Sequence, residues 1–288
     1  MEYHSKPATY VGSVALRVEN LERSLRFYHD VLGFQILEQD KANAKLSADG
    51  KKDTVSLVQP AGITPKEKGR AGLYHFALLL PGRSDLASLV HHLARKRVRF
   101  GSADHLVSEA IYFEDPDGNG IEVYSDTDSS TWVWHEQGVD MASKPLDFED
   151  LLKEDAALQA TFTLPKDSIL GHIHLHVSNL PGAEKFYTQG LGFEIVTRYR
   201  DSALFLSTNK YHHHVALNTW NGVGAPRTPE HSVGLDFFTL VFPDHRAREK
   251  AMASLEGLGT TLHRENGRIV VADPSGNQIE LAFQEESK

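Results

Sequence analysis

The chain has 288 residues and a mass of 32.1 kDa, with 40% hydrophobic and 24% charged residues. That is material for two packed domains and argues against extended disorder. A formal net charge of -9 lacks the basic footprint of a nucleic-acid binder. The absence of cysteine excludes disulfides, thiolate metal sites and cysteine nucleophiles. With no long apolar run and no leader-like start, neither a membrane partner nor secretion is expected, and the composition fits a cytoplasmic enzyme. Sixteen histidines, many in short strand-like runs, raise the prospect of metal or acid–base chemistry.

In chain order, Val14, Leu16 and Val18 alternate as in a strand with one buried face. Asn20 can cap a helix that carries Leu21, Leu25 and Tyr28 on one side, and Gly33 suits the turn after it. Strands are predicted over 44–47 and 54–58. A second unit opens with the segment Gly72–Pro81, which recurs as Gly234–Pro243. It closes with the turn Asp115-Pro-Asp-Gly-Asn119 and a strand over 121–124. Residues 127–167 break the pattern and read as a linker with one helix-like run at 146–152 and a packed Trp132. The alternative is an arm that covers a site with its aromatics.

The pattern then repeats. Leu16–Leu21, Phe27-Tyr28 and Leu32–Phe34 recur at Leu175–Leu180, Phe186-Tyr187 and Leu191–Phe193, all 159 residues later. Asp115–Asn119 recurs as Asp273-Pro-Ser-Gly-Asn277. The expected fold class is α+β, with four βαβββ modules in two tandem domains, 9–126 and 168–285.

Comparing the copies exposes candidate ligands. The same strand position holds Ser13 in the first module and His172 in the third; His75 matches Phe237, and Glu122 matches Glu280. His75, Glu122 and His172 make a two-histidine, one-carboxylate set. Such a set leaves open positions on a divalent metal, as in non-haem Fe(II) oxygenases. It is complete only if the second module joins the third, across the halves of one chain or between subunits. The other cross-pair, Ser13 with Phe237 and Glu280, lacks ligands. His172, His174 and His176 share a face by period two. His91 and His92 are expected to be solvated. Bland readings remain for the key residues: His75 as a hydrogen-bonded core histidine, Glu122 as a solvated strand end, Tyr112 as core.

These segments, with Gly72-Leu-Tyr-His75, Gly171-His172 and Tyr211–Trp220, resemble the vicinal-oxygen-chelate superfamily. Within it they are most similar to two-domain extradiol ring-cleaving dioxygenases of the catechol 2,3-dioxygenase kind. The resemblance covers nearly all of the chain outside 127–167. It implies cup-shaped sheets, Fe(II) as cofactor with Mn(II) accepted by the same donors, and a small aromatic diol and O2 as substrates. It further implies that Tyr112 hydrogen-bonds a substrate oxygen, that His213 or His214 is the acid–base group, and that His105 joins the same wall. The superfamily also holds glyoxalase-type isomerases and lyases and ligand-sequestering proteins, which stand as alternative functions. Assembly into a homo-oligomer is left open.

Overall fold

The computed structural model describes residues 2–136, 138–154, 162–265 and 267–284. The first module is β1 (Tyr10–Arg17), α1 (Leu21–Asp30), β2 (Gln35–Gln39), β3 (Asn43–Ser47) and β4 (Val55–Val58). The second is β5 (Gly72–Leu79), α2 (Arg83–Lys96), β6 (Gly101–Asp104), β7 (Ser108–Glu114) and β8 (Gly120–Asp126). The connecting segment holds β9 (Trp134–His135), β10 (Gly138–Val139) and the short α3 (Phe148–Leu151). The third module is β11 (Ile169–His176), α4 (Leu180–Lys185), β12 (Glu194–Tyr199), β13 (Ala203–Ser207) and β14 (Val215–Asn218). The fourth is β15 (Gly234–Phe242), α5 (His245–Gly257), β16 (Leu262–Glu265), β17 (Arg268–Ala272) and β18 (Gln278–Phe283). Each module is βαβββ.

The expected caps form. Asn20 accepts from the Arg23 N–H, and Asn179 does the same for Gly182. Gly33 turns the chain with φ 74° at a point where a Cβ would lie 2.5 Å from the Leu164 nitrogen. The two repeated motifs are partners. Asp115 accepts from the Asn119 amide within its own turn and from the Tyr28 hydroxyl of α1. Asp273 accepts likewise from Asn277 and from Tyr187.

The strands pair across the repeat. One eight-stranded sheet runs β16-β17-β18-β15-β1-β4-β3-β2 and the other β12-β13-β14-β11-β5-β8-β7-β6. The first module therefore shares a curled sheet with the fourth, and the second with the third, within one chain. The junctions are antiparallel, β1 on β15 and β11 on β5. Aliphatic residues from all four modules form one continuous core between the sheets and their helices.

The connecting segment packs rather than dangles. Trp132 is buried with Val107, Val139, Val196 and Tyr211, and Tyr3 stacks on both its ring and that of Tyr211. The Trp132 ring also meets His212 edge-on at 5.3 Å, so the segment backs one wall of the histidine cluster. One expectation is corrected. His92 is buried, because α2 turns it inward, where its Nε2 donates to the Asp30 carbonyl at 3.2 Å.

Candidate metal centre

Register explains how three distant residues meet. On β11, His172 pairs with Ala77 of β5, and Ala77 pairs with Glu122 of β8. The three lie in one row across adjacent strands about 4.8 Å apart. The small Ala77 in the middle lets the outer side chains lean over it. His75, two residues earlier on β5, points to the same face by period two. The result is a triangle. Glu122 Oε2 lies 3.1 Å from His172 Nε2, which donates to it, and 3.0 Å from His75 Nε2. All three residues are buried, so Glu122 is not a solvated strand end.

The electrostatics suit a cation. Burial pushes the Glu122 carboxyl up, but the adjacent His172 and His75 outweigh it and hold the group well below the usual carboxylate range. Burial pushes His172 down to about 4, against the pull of Glu122. A carboxylate buried beside two imidazoles, away from water, is costly without a cation to balance it. His75 Nε2 and His172 Nδ1 are buried without a hydrogen-bond partner. Two imidazole nitrogens and one carboxylate oxygen within 4.8 Å of one another fit a divalent metal bound on one face.

The other candidates separate by position. Tyr112 pairs with Glu122 across β7 and β8. His105 Nδ1 donates to the Ala142 carbonyl at 2.6 Å, so its Nε2 is free to accept from the Tyr112 hydroxyl, also at 2.6 Å. Burial raises the Tyr112 phenol well above its ordinary value, reinforced by the Glu122 charge. His213 packs on His172 with ring centroids 4.1 Å apart. His214 turns elsewhere: its Nε2 donates to the Tyr3 carbonyl and its ring meets His4 and Tyr211. Residues 211–214 form a bend ahead of β14, and burial lowers both histidines well below the ordinary value.

A cavity of about 750 Å³ reaches His75 and Tyr112 from outside, walled also by Tyr74, Phe113 and His176. At its rim Tyr74 meets Trp220 edge-on at 5.3 Å, and His174 packs against both. Asn218 ties this wall together, donating to His174 Nε2 and accepting from His176 Nδ1.

The second cup repeats the row with other side chains. Thr239 pairs with Ser13 and Glu280, as Ala77 does with His172 and Glu122. Ser13 donates to Thr239, and Arg268 donates to Glu280 at 2.6 Å while lying over the Phe237 ring. A guanidinium stands where the first cup would hold a metal.

Three contributors escaped the sequence reading. Ala77 is silent without register. His4, whose Nε2 donates to the Gly171 carbonyl next to His172, had no local signal. Asp126 did have a signal, since it follows Glu122 and Tyr124 at period two on the same strand.

The chain belongs to the Glyoxalase/Bleomycin resistance protein/Dioxygenase superfamily, whose family model matches residues 10–123 and 169–281. It is 42% identical over 269 residues to the catechol-2,3-dioxygenase of Bacillus subtilis (strain 168), a match covering 92% of this chain and 94% of that protein. Among solved structures it resembles a putative dioxygenase from Bacillus subtilis (TM-score 0.65, 15% identity, 98% of this chain and 87% of that one). It also resembles glyoxalase I from Zea mays (TM-score 0.58, 16% identity, 96% and 92%). At those identities the structural likeness establishes the fold.

Proposed function

We propose that this chain is an extradiol ring-cleaving dioxygenase that takes a catechol or related dihydroxy-aromatic and O2. His75, Glu122 and His172 would hold Fe(II), with Mn(II) accepted by the same donors. The observation that carries the reading is the convergence of these three buried groups beside a cavity large enough for a substituted ring. The likeness to a named catechol-2,3-dioxygenase supports it.

When bound, Fe(II) supplies Lewis acidity and a site for O2 chemistry. The chain's own groups do the rest. His75 and His172 sit on adjacent strands of one sheet, which fixes their geometry. Tyr112 stays a protonated phenol, so it can donate to a substrate oxygen beside Glu122. His213, kept neutral by burial among other histidines, is a proton acceptor held next to His172. Tyr74 and Trp220 give aromatic surfaces at the entrance.

The test is anaerobic loading with Fe(II), then catechol in air, following oxygen uptake and yellow product, with His172→Ala alongside. Uptake with colour that the variant loses is expected. A metal-loaded protein that consumes no oxygen with any of a panel of catechols and hydroquinones would return the chain to the isomerase or ligand-binding readings.

A further inference from the structure

We infer that Asp126 and His212 are positioning residues that fix the tautomer of His213, leaving its Nε2 unprotonated. The inference rests on the reading of His213 as the base and extends it to two residues outside the metal set.

The argument is an inventory of donors. The Asp126 carboxylate can only accept. It accepts from the Tyr211 hydroxyl at 3.0 and 3.2 Å and from His212 Nε2 at 2.9 Å. His212 therefore carries its proton on Nε2. In the neutral form, with its one proton held on Nε2 by Asp126, His212 leaves Nδ1 a bare lone pair. That atom lies 2.8 Å from His213 Nδ1. A contact between two ring nitrogens needs one donor, and with His212 neutral it is His213 that supplies it. His213 then bears its proton on Nδ1 and presents Nε2 as the acceptor.

The surroundings hold this order. His212 is fully buried between the Tyr211 ring at 4.0 Å and the Trp132 edge. His213 is wedged against His172 and the Phe205 ring, with centroids 4.1 and 5.1 Å away. Tyr211 is pinned by the Tyr124 hydroxyl at 2.7 Å. The chain of contacts runs from a carboxylate near the surface to the base. An aspartate that orients a catalytic imidazole through its far nitrogen is the logic of the serine-protease triad; here a second imidazole stands between the two.

The opposite order is physically available. If His212 were doubly protonated, both its nitrogens would donate, and His213 would have to accept at Nδ1 and carry its proton on Nε2. The two orders are distinguishable by spectroscopy.

The experiment uses the full chain labelled with 15N-histidine and free of metal. Long-range proton–nitrogen correlation reads each ring nitrogen, and a His213→Asn spectrum assigns the signals. His213 is expected to show a protonated Nδ1 and a bare Nε2. His212→Phe removes the acceptor, and His213 then populates both tautomers. In the same variant loaded with Fe(II), kcat falls by roughly 10²- to 10⁴-fold, the worth of a general base, while KM and metal content hold. Asp126→Asn tests the same link if His212→Phe fails to fold; its amide can donate to His212 Nε2 and reverse the order, with the same fall in kcat. A wild-type His213 protonated on Nε2, or a variant that folds with kcat unchanged, overturns the inference. A wild-type protein with the inferred tautomer but no ring cleavage sinks the proposed function and leaves the Asp126–His212–His213 order standing.

Discussion

Arg268 donates to Glu280 at 2.6 Å, and Glu280 holds in the second cup the strand position that Glu122 holds in the first. Its guanidinium also lies 4.2 Å from the centre of the Phe237 ring, which replaces a histidine. A fixed side-chain cation thus neutralises the retained glutamate. This explains how the repeat keeps Glu280 without a histidine partner.

The first prediction concerns stoichiometry. A single divalent ion is expected per chain after loading and dialysis, measured by elemental analysis. Glu122→Gln reduces it to background, because it leaves two neutral imidazoles and no anion for the cation. Glu280→Gln leaves the count unchanged. Ser13→His, Phe237→His and Arg268→Ala together rebuild the first cup's donor set and are expected to install a second ion. Retained metal in Glu122→Gln would contradict the assignment.

The second prediction concerns the strand that carries His172. A Cβ on Gly171 would lie 1.8 Å from the Tyr124 hydroxyl oxygen and 2.6 Å from the ring carbon that bears it. Tyr124 is held in place by burial and by its bond to Tyr211. Gly171→Ala therefore displaces either Tyr124 or the strand. The expected cost is about 1–3 kcal/mol by overpacking, read as a lower urea midpoint, together with weaker metal binding. Gly257→Ala meets no atom within 4 Å at the end of α5. It is expected to be neutral or stabilising by up to about 1 kcal/mol.

Much of this architecture was legible in the sequence. The repeated motifs located the modules because each encodes a local event: the Asn20 cap, the Gly33 turn, the Asp115 turn. The duplication also showed that no single half offers two histidines and a glutamate, so the pairing of the second and third modules could be anticipated. Strand order inside one chain could not, because pairing depends on long-range packing that short motifs do not record. The role of Ala77 needs register. His92 was misplaced because its basic neighbours look solvated, whereas helix period turns this one position inward. His213 and His214 were indistinguishable by spacing, since a bend rather than a strand carries them and its direction is set by contacts with Asp126, Tyr3 and Ser207.

The third prediction concerns pH and the N-terminal segment. Burial pushes His4 from 6.5 down to about 4, against the raising effects of its bond to the Gly171 carbonyl and the Asp126 charge. Above pH 6.5 the group is neutral in both folded and unfolded chains. Between 6.5 and about 4 the unfolded chain takes a proton that the folded chain refuses. Stability present above pH 6.5 is therefore lost as pH falls toward 4, by about 3 kcal/mol from this group. His4→Phe keeps a ring against Tyr10 and Tyr211 but cannot titrate. Urea midpoints at pH 7 and pH 5 should differ less in this variant than in the parent. An equal difference would show that other histidines carry the slope.

The fourth prediction separates Tyr112 from its partner. The Tyr112 hydroxyl and His105 Nε2 share a 2.6 Å hydrogen bond, and His105 is anchored through Nδ1 to the Ala142 carbonyl. If the phenol donates to substrate as proposed, it must exchange the His105 acceptor for a substrate oxygen during turnover. Tyr112→Phe removes the donor and keeps the ring against His75 at 5.7 Å. Its kcat is expected to fall by roughly 10²-fold, the scale for one preorganised donor, with metal content intact. His105→Ala frees the phenol but leaves it unoriented, so a smaller fall is expected, with KM raised. Steady-state kinetics on the Fe(II)-loaded variants decide this. If Tyr112→Phe retains full kcat, the tyrosine is a packing residue of the cup wall, and the donor to substrate must be sought among His105 and the rim histidines.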